Sequence, residues 1–321
     1  MRRLDLRVGD WIARRRGPEA GRVELGSRRV YILPTRSGLI FALAVLALLI
    51  GSINYGLALG YALCFFVAAL ALAGMPATHA NLSRLRIAGQ GAEPAFAGDH
   101  VHFLIELANP SPQPRRALRL AFESADKARG GLLVIDLAAQ ADDTVSVPLA
   151  APHRGRLAAP RLVIETRYPL GLWRAWAQFQ PALFALVYPR PEDEAPPLPA
   201  PGGAGERAGR PTPGGEDFAG ARPYRAGDPP KTIAWRLAAR SEELLVRQGE
   251  TSAGGTLVLD WAQLPASLEA EAKLSRLTRW VLDAEAAGLN YALALPGQFI
   301  AADVGPAQRE RCLAALALAR V

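Results

Sequence analysis

The chain has 321 residues, a net charge of +7 and two cysteines. That length calls for two or three modules and can bury a sizeable core. The charge does not point to a nucleic-acid-binding face, because ten arginines against four carboxylates in residues 1–36 supply +6 of it and the remainder is close to neutral. Cys64 and Cys312 offer no disulfide framework, which fits a reducing compartment.

Residues 1–36 form a basic segment. Within 1–16, Leu4, Val8, Trp11 and Ile12 recur at helical spacing with arginine on the other faces. Two readings stay open there: a basic amphipathic helix at a membrane surface, and a disordered basic tail, which Gly9 favours. Residues 37–78 then carry no charge. This uncharged run suffices for two membrane spans, 38–53 and about 56–75. Ser-Ile-Asn-Tyr-Gly at 52–56 reads as the turn between them, and Pro76 as the end of the second. The pair is expected to be a transmembrane hairpin over 37–76. The arginine-rich flank keeps the N-terminus on the cytoplasmic side, and two spans return the C-terminus to it. A multi-pass protein of the inner membrane is the expected localisation. Two uncharged spans hold no substrate relay, so a transporter is not expected.

Residues 81–191 change character. Val101, Phe103, Ile105 and Leu107 alternate with more polar neighbours, as do Leu118, Leu120, Phe122 and then Val145, Val147, Leu149. With runs at 131–137, 161–166 and 182–188, about seven short strands separated by turns predict a β-sandwich. His100 and His102 share a strand face, but no third ligand stands at useful spacing, so solvated strand residues are expected. Tyr168, Trp173 and Trp176 are expected to pack where the sandwich closes. Residues 192–215, rich in Pro, Gly and Ala, read as a linker. Their GGAGERAG run lacks the preceding strand and the Gly-Lys-Ser/Thr ending of a phosphate loop.

The densest set of chemically specific residues lies in 216–250. Ala226-Gly227 reads as a turn, Asp228 as a helix cap, and Pro229 and Pro230 as first-turn residues of a helix over 229–239. Residues 243–248 read as a strand. The pattern Arg222, Tyr224, Gly227, Asp228, Lys231, Ile233, Trp235, Ala239 and Arg240 resembles the signature of the family called domain of unknown function 58. Lys231 stands where that family more often has arginine, and a lysine makes a bidentate pair less well. The two apolar spans, RYPLGLWRAW at 167–176 and LVYPRP at 186–191 extend the resemblance from about residue 31 to the end.

Residues 256–260 read as a buried strand and 268–287 as an amphipathic helix with Leu274, Leu277, Val281 and Leu282 on one side. Strands at 291–295 and 299–304 and a helix at 306–319 follow. The alternation indicates an α/β layer. Its order resembles the first half of a von Willebrand A domain, so 216–321 is expected to be the signature plus an α/β half domain of that kind. The metal-holding Asp-x-Ser-x-Ser of such domains maps onto Asp260, Ala262 and Leu264, which lack both hydroxyls. Neither a metal nor a cofactor is expected.

No nucleophile, base or metal constellation appears, so the chain is expected not to be an enzyme. The resemblance implies a membrane-anchored scaffold or adaptor, with MoxR-type AAA+ ATPases and von Willebrand A proteins as partners in complex assembly or maturation. The signature would be structural or an interface. The alternative is an enzyme or small-molecule-binding protein that uses the Asp228, Arg222 and Tyr224 turn. A further possibility is an anionic-lipid sensor at Arg14–Arg16.

Overall fold

The computed structural model describes residues 17–123, 131–199 and 256–320, with the backbone of two short strands at 221–223 and 245–247. The chain divides into two units, Met1–Arg190 and Pro191–Val321.

The first unit begins with β1 (Val23–Glu24), a single 3-10 turn at Ser27–Arg29, and β2 (Tyr31–Pro34). Two long helices follow, α1 (Arg36–Tyr55) and α2 (Ala58–Ala80). Thr35 caps α1, its hydroxyl accepting from the Gly38 N–H at 3.0 Å. Gly56 ends it in the left-handed region (φ 62°), where a residue without Cβ fits best. Both helices are long and apolar enough to cross a membrane. Their apolar side chains point outward on most faces; Ile40 is 69% exposed and Leu59 86%. Apolar sequence and good helix formers make the helices, and the other described residues of this unit leave most of their surface uncovered.

The structure moves two boundaries. Residues 52–55 belong to α1, so the reversal is confined to Gly56 and Leu57. Pro76 lies inside α2, which runs on to Ala80. A proline lacks the N–H that would bond the carbonyl four residues earlier, here that of Leu72. Two residues on, the Thr78 hydroxyl bonds back to the Gly74 carbonyl at 2.9 Å, a pattern that often accompanies a bend in a helix.

Ten further strands form the rest of this unit: β3 (Arg86–Glu93), β4 (Ala95–Phe96), β5 (His100–Ala108), β6 (Arg115–Phe122), β7 (Leu133–Leu137), β8 (Asp142–Ala150), β9 (Gly155–Ala158), β10 (Leu162–Thr166), β11 (Trp173–Phe179) and β12 (Phe184–Tyr188). They make sheets of order β1-β3-β5-β8, β2-β11-β10-β6-β7 and β4-β12-β9. The period-two pattern read from residues 101–107 is real: Val101, Phe103, Ile105 and Leu107 are buried and His102, Leu104 and Glu106 are not. Inward residues of β3, β5 and β8 share one core with those of β6, β10 and β11, and Phe103 meets Phe122 edge-on at 5.3 Å. The body begins well before residue 81. β1 pairs with β3 and β2 with β11, so part of the basic N-terminal segment is built into the sheets.

In the second unit, β13 (Ala221–Pro223) pairs antiparallel with β14 (Leu245–Arg247). A three-stranded sheet follows, of β15 (Leu257–Asp260), β16 (Tyr291–Leu295) and β17 (Gln298–Asp303), with β15 and β16 parallel and β17 antiparallel at the edge. A parallel pair needs a crossover. It is supplied by α3 (Ala270–Ala286), whose Leu274, Leu277, Trp280, Val281 and Ala284 are buried. α4 (Pro306–Leu318) closes the unit, with proline in its first turn. The beginning of the sequence-predicted linker is held in place. Glu192 takes two hydrogen bonds from Arg276 at 2.8 and 2.9 Å, and the Trp280 indole donates to the Pro196 carbonyl at 2.8 Å.

Candidate functional site

Of the signature residues, Arg222 lies in β13, with its backbone in register with Val246 of β14. That strand pair brings together the two ends of the excursion that carries Tyr224, Gly227, Asp228, Lys231, Ile233, Trp235, Ala239 and Arg240. Those eight residues, and the helix expected over 229–239, lie outside the described residues.

The described residues hold a second constellation, where α2 meets the β-rich body. β6 contains a register shift between Arg115 and Leu118, and Ala117 adopts φ 49°. Such a bulge frees backbone groups from the ladder, and buried backbone groups need partners. Asn81, the first residue after α2, satisfies both groups of Arg116. Its amide donates to the Arg116 carbonyl at 2.8 Å, and its carbonyl oxygen accepts the Arg116 N–H at 3.0 Å. The same amide donates to the Thr166 hydroxyl of β10 at 2.8 Å. Asp136 of β7 accepts the Ala117 N–H at 2.7 Å, a bond that holds its carboxyl below the usual range, with Arg116 adding to the effect.

Arg115 completes the junction. Its side chain points into the body and is 6% exposed. Nε donates to the Asn109 side-chain oxygen at 3.0 Å, Nη2 to the Ser83 carbonyl at 3.0 Å, and Nη1 to the Ala80 carbonyl. Asn109 in turn donates to the Gln113 and Ala138 carbonyls at 2.9 and 2.8 Å. Burial lowers the guanidinium's pKa, yet an arginine keeps its charge in such sites. A cation at the C-terminal end of α2 also meets the negative end of the helix dipole. No ligand is needed to explain any of these groups, because each has its partner within the fold. The chemistry is that of a clamp.

The loop after β10 and the first residue of β11 fasten both helices from the side. The Trp173 indole donates to the Ala71 carbonyl of α2 at 2.8 Å, and the Thr35 hydroxyl donates to the Gly171 carbonyl at 2.7 Å. A Cβ on Gly38 would stand 2.2 Å from the Leu172 carbonyl oxygen, so only glycine permits this approach of loop to α1. Trp176 is buried against Tyr31 at 5.5 Å, as a packing role requires. Tyr168 departs from its expected packing and is 46% exposed, because the loop leans on the helices and turns this ring outward.

Sequence reasoning missed Asn81, Arg115, Asn109 and Thr166. The one local signal was a run of side chains that seek backbone partners, at Asn81 and at Asn109-Pro110-Ser111-Pro112. What they bond lies up to 85 residues away.

His102 Nδ1 lies 2.9 Å from the Ser146 hydroxyl, while His100 is exposed. Among the described residues, no three His, Cys, Asp or Glu side chains come together as metal ligands would. In the second unit, Asp260 Oδ1 accepts the Ala262 N–H at 2.9 Å and so caps the turn that follows β15. Burial pushes the Cys312 thiol up to about 12, and it pushes the Tyr291 phenol upward as well. Both are poor candidates for nucleophile or acid at neutral pH. No protein-family model matches the chain, and no curated protein matches it.

Proposed function

We propose that this chain is a membrane-anchored scaffold or adaptor, with no catalytic role. In this reading α1 and α2 cross the inner membrane as a hairpin, with both chain ends in the cytoplasm. The β-rich body is then a cytoplasmic β-sandwich, and the second unit is similar to half of a von Willebrand A domain. The signature at Arg222, Tyr224, Gly227, Asp228, Lys231, Ile233, Trp235 and Arg240 serves as structural keystone or interface. The resemblance to domain of unknown function 58 suggests the partners, a MoxR-type AAA+ ATPase and von Willebrand A proteins, in complex assembly or maturation.

One observation carries the reading. The exposed apolar helix pair is clamped to the β-rich body by hydrogen bonds from side chains to backbone carbonyls, at Asn81, Arg115, Thr35 and Trp173. Such an arrangement holds a body at fixed orientation to an anchor, which is what a scaffold needs. Flanking arginines favour the cytoplasmic side for the body.

The test is a crosslinked pull-down of the intact chain from native membranes, beside an Arg222→Ala/Asp228→Asn variant checked for normal melting. An AAA+ ATPase captured by the intact chain and lost from the folded variant supports the adaptor with the signature as interface. Capture of no partner by either form sinks it.

A further inference from the structure

Most described arginines of the first unit have a partner; Arg115 is bonded to three oxygens, and the exposed Arg156 lies 3.8 Å over the Phe184 ring. Arg22, Arg29, Arg86, Arg116, Arg161, Arg167 and Arg174 each have a carboxylate within 4.0 Å. Arg28, Arg36 and Arg84 are exposed and make no ion pair among the described residues. Arg119, also without an ion pair, at least stands opposite Glu165 in the sheet register.

The first three share one end of the body. Glu24, Arg86 and Ala108 are in register, so the turns beyond them lie where α2 arrives. Arg28 is in the 3-10 turn just after β1, and Arg84 in the turn between α2 and β3. Those turns are bonded to each other, Leu25 N to Leu85 O and Arg84 N to Leu25 O, both at 2.8 Å. Arg36 is the first residue of α1. Beside them the loop after β10 leaves Tyr168 and Leu170 exposed, and β2 leaves Leu33 exposed. Cations without counter-ions next to outward tyrosine and leucine, at the root of two apolar helices, match the headgroup layer of a bilayer.

Resting on the membrane reading above, we infer that this end of the body is a docking surface for anionic phospholipid headgroups. Arg28, Arg36 and Arg84 contact the phosphates, and Tyr168, Leu170 and Leu33 sit at the level of the glycerol and upper acyl chains. The apolar neighbours favour lipid over nucleic acid, which offers no such layer.

The full chain is reconstituted into nanodiscs of phosphatidylcholine with and without phosphatidylglycerol, and lipids retained after extraction are counted by native mass spectrometry. The variant is Arg28→Gln/Arg36→Gln/Arg84→Gly. Arg84 has φ 63°, so glycine there removes the charge and relieves the backbone. The intact chain is expected to retain phosphatidylglycerol in preference, and the variant to lose about fivefold in that preference per arginine at low salt. Equal retention of both lipids by the intact chain, or an unchanged preference in the variant, overturns the inference while leaving the anchor standing. Failure to enter nanodiscs at all overturns both. A duplex DNA probe bound by the intact chain and lost from the variant overturns it in favour of nucleic acid.

Discussion

The two units solve the problem of fixing one element against another by opposite means. In the first, the elements that matter most meet through polar side chains. Asn81, Arg115, Asn109 and Thr166 join α2 to three strands, with each hydrogen bond directed and partnered. In the second, α3 lies on its sheet through apolar burial of Leu274, Leu277 and Val281. Polar groups play less part there: Thr278 Oγ1 and Gln308 Oε1 find no partner among the described residues, although Gln308 Nε2 bonds the Tyr291 and Ala301 carbonyls. Directed bonds fix an angle as well as a contact, whereas apolar packing tolerates small slips. Two long exposed helices meeting the body at one end are held by bonds that fix an angle, whereas a covered layer needs only to stay covered.

The sharpest way to break this contrast is Arg115→Leu. It deprives the Ala80 and Ser83 carbonyls of their donor, while the Asn109 oxygen keeps the Ser111 N–H at 3.2 Å, and at about 1–3 kcal/mol for each carbonyl left unpaired it should cost about 2–6 kcal/mol. A melting curve in detergent checks it, and the first unit should lose its transition while the second keeps its own. Next comes Leu277→Ala, in a fully buried site. It should destabilise the second unit by about 2–5 kcal/mol and leave the first unmoved. If both transitions shift together in either variant, the units are not independent and the contrast fails.

A pair of glycines refines the picture within the first unit. Gly38→Ala meets a backbone carbonyl and should cost about 1–3 kcal/mol, freeing the loop for proteolysis. Gly74→Ala meets only the end of Leu170, at 3.0 Å, and should cost less because that side chain can turn. Equal losses would mean that the loop, rather than α1, yields.

Smaller still is the tie between Glu192 and Arg276. The hydrogen bond from Arg276 lowers the Glu192 pKa. Stability from this tie is therefore present above the unfolded carboxylate value, about 4.3. It is lost as pH falls through the lower folded value. Acid titration of the second unit's melting point should flatten slightly in Glu192→Gln, by under about 1 kcal/mol. Least of all should happen at Cys312. With its thiol pushed up to about 12, it should resist alkylation at pH 8 until the unit is unfolded, as followed by mass spectrometry.

Periodic and compositional signals were legible. A run without charge gave α1 and α2, alternation gave β5, β6 and β8, and an apolar stripe gave α3. Within the signature the short strand read at 243–248 appears as β14, whereas the side-chain roles assigned to Asp228, Tyr224 and Trp235 lie outside the described residues. β1 and β2 were not legible, because two and four residues are too few to show a period. Nor was the passage of α2 through Pro76, which a local rule reads as a stop.

The sequence by itself determined where apolar surface must be buried or left outward, since side-chain period and charge are local properties of a chain. It determined two long apolar helices, alternating strands, and an α/β segment with one stripe turned inward. Only the tertiary structure decided which polar side chains would hold these parts together. Arg115 is one arginine among many until a bulge in β6 and the end of α2 bring three oxygens around it. Asn81 likewise gains its role from an unpaired stretch of strand that lies far along the chain. Hydrogen-bond partners are chosen by proximity in space, and that proximity exists only once the chain has folded.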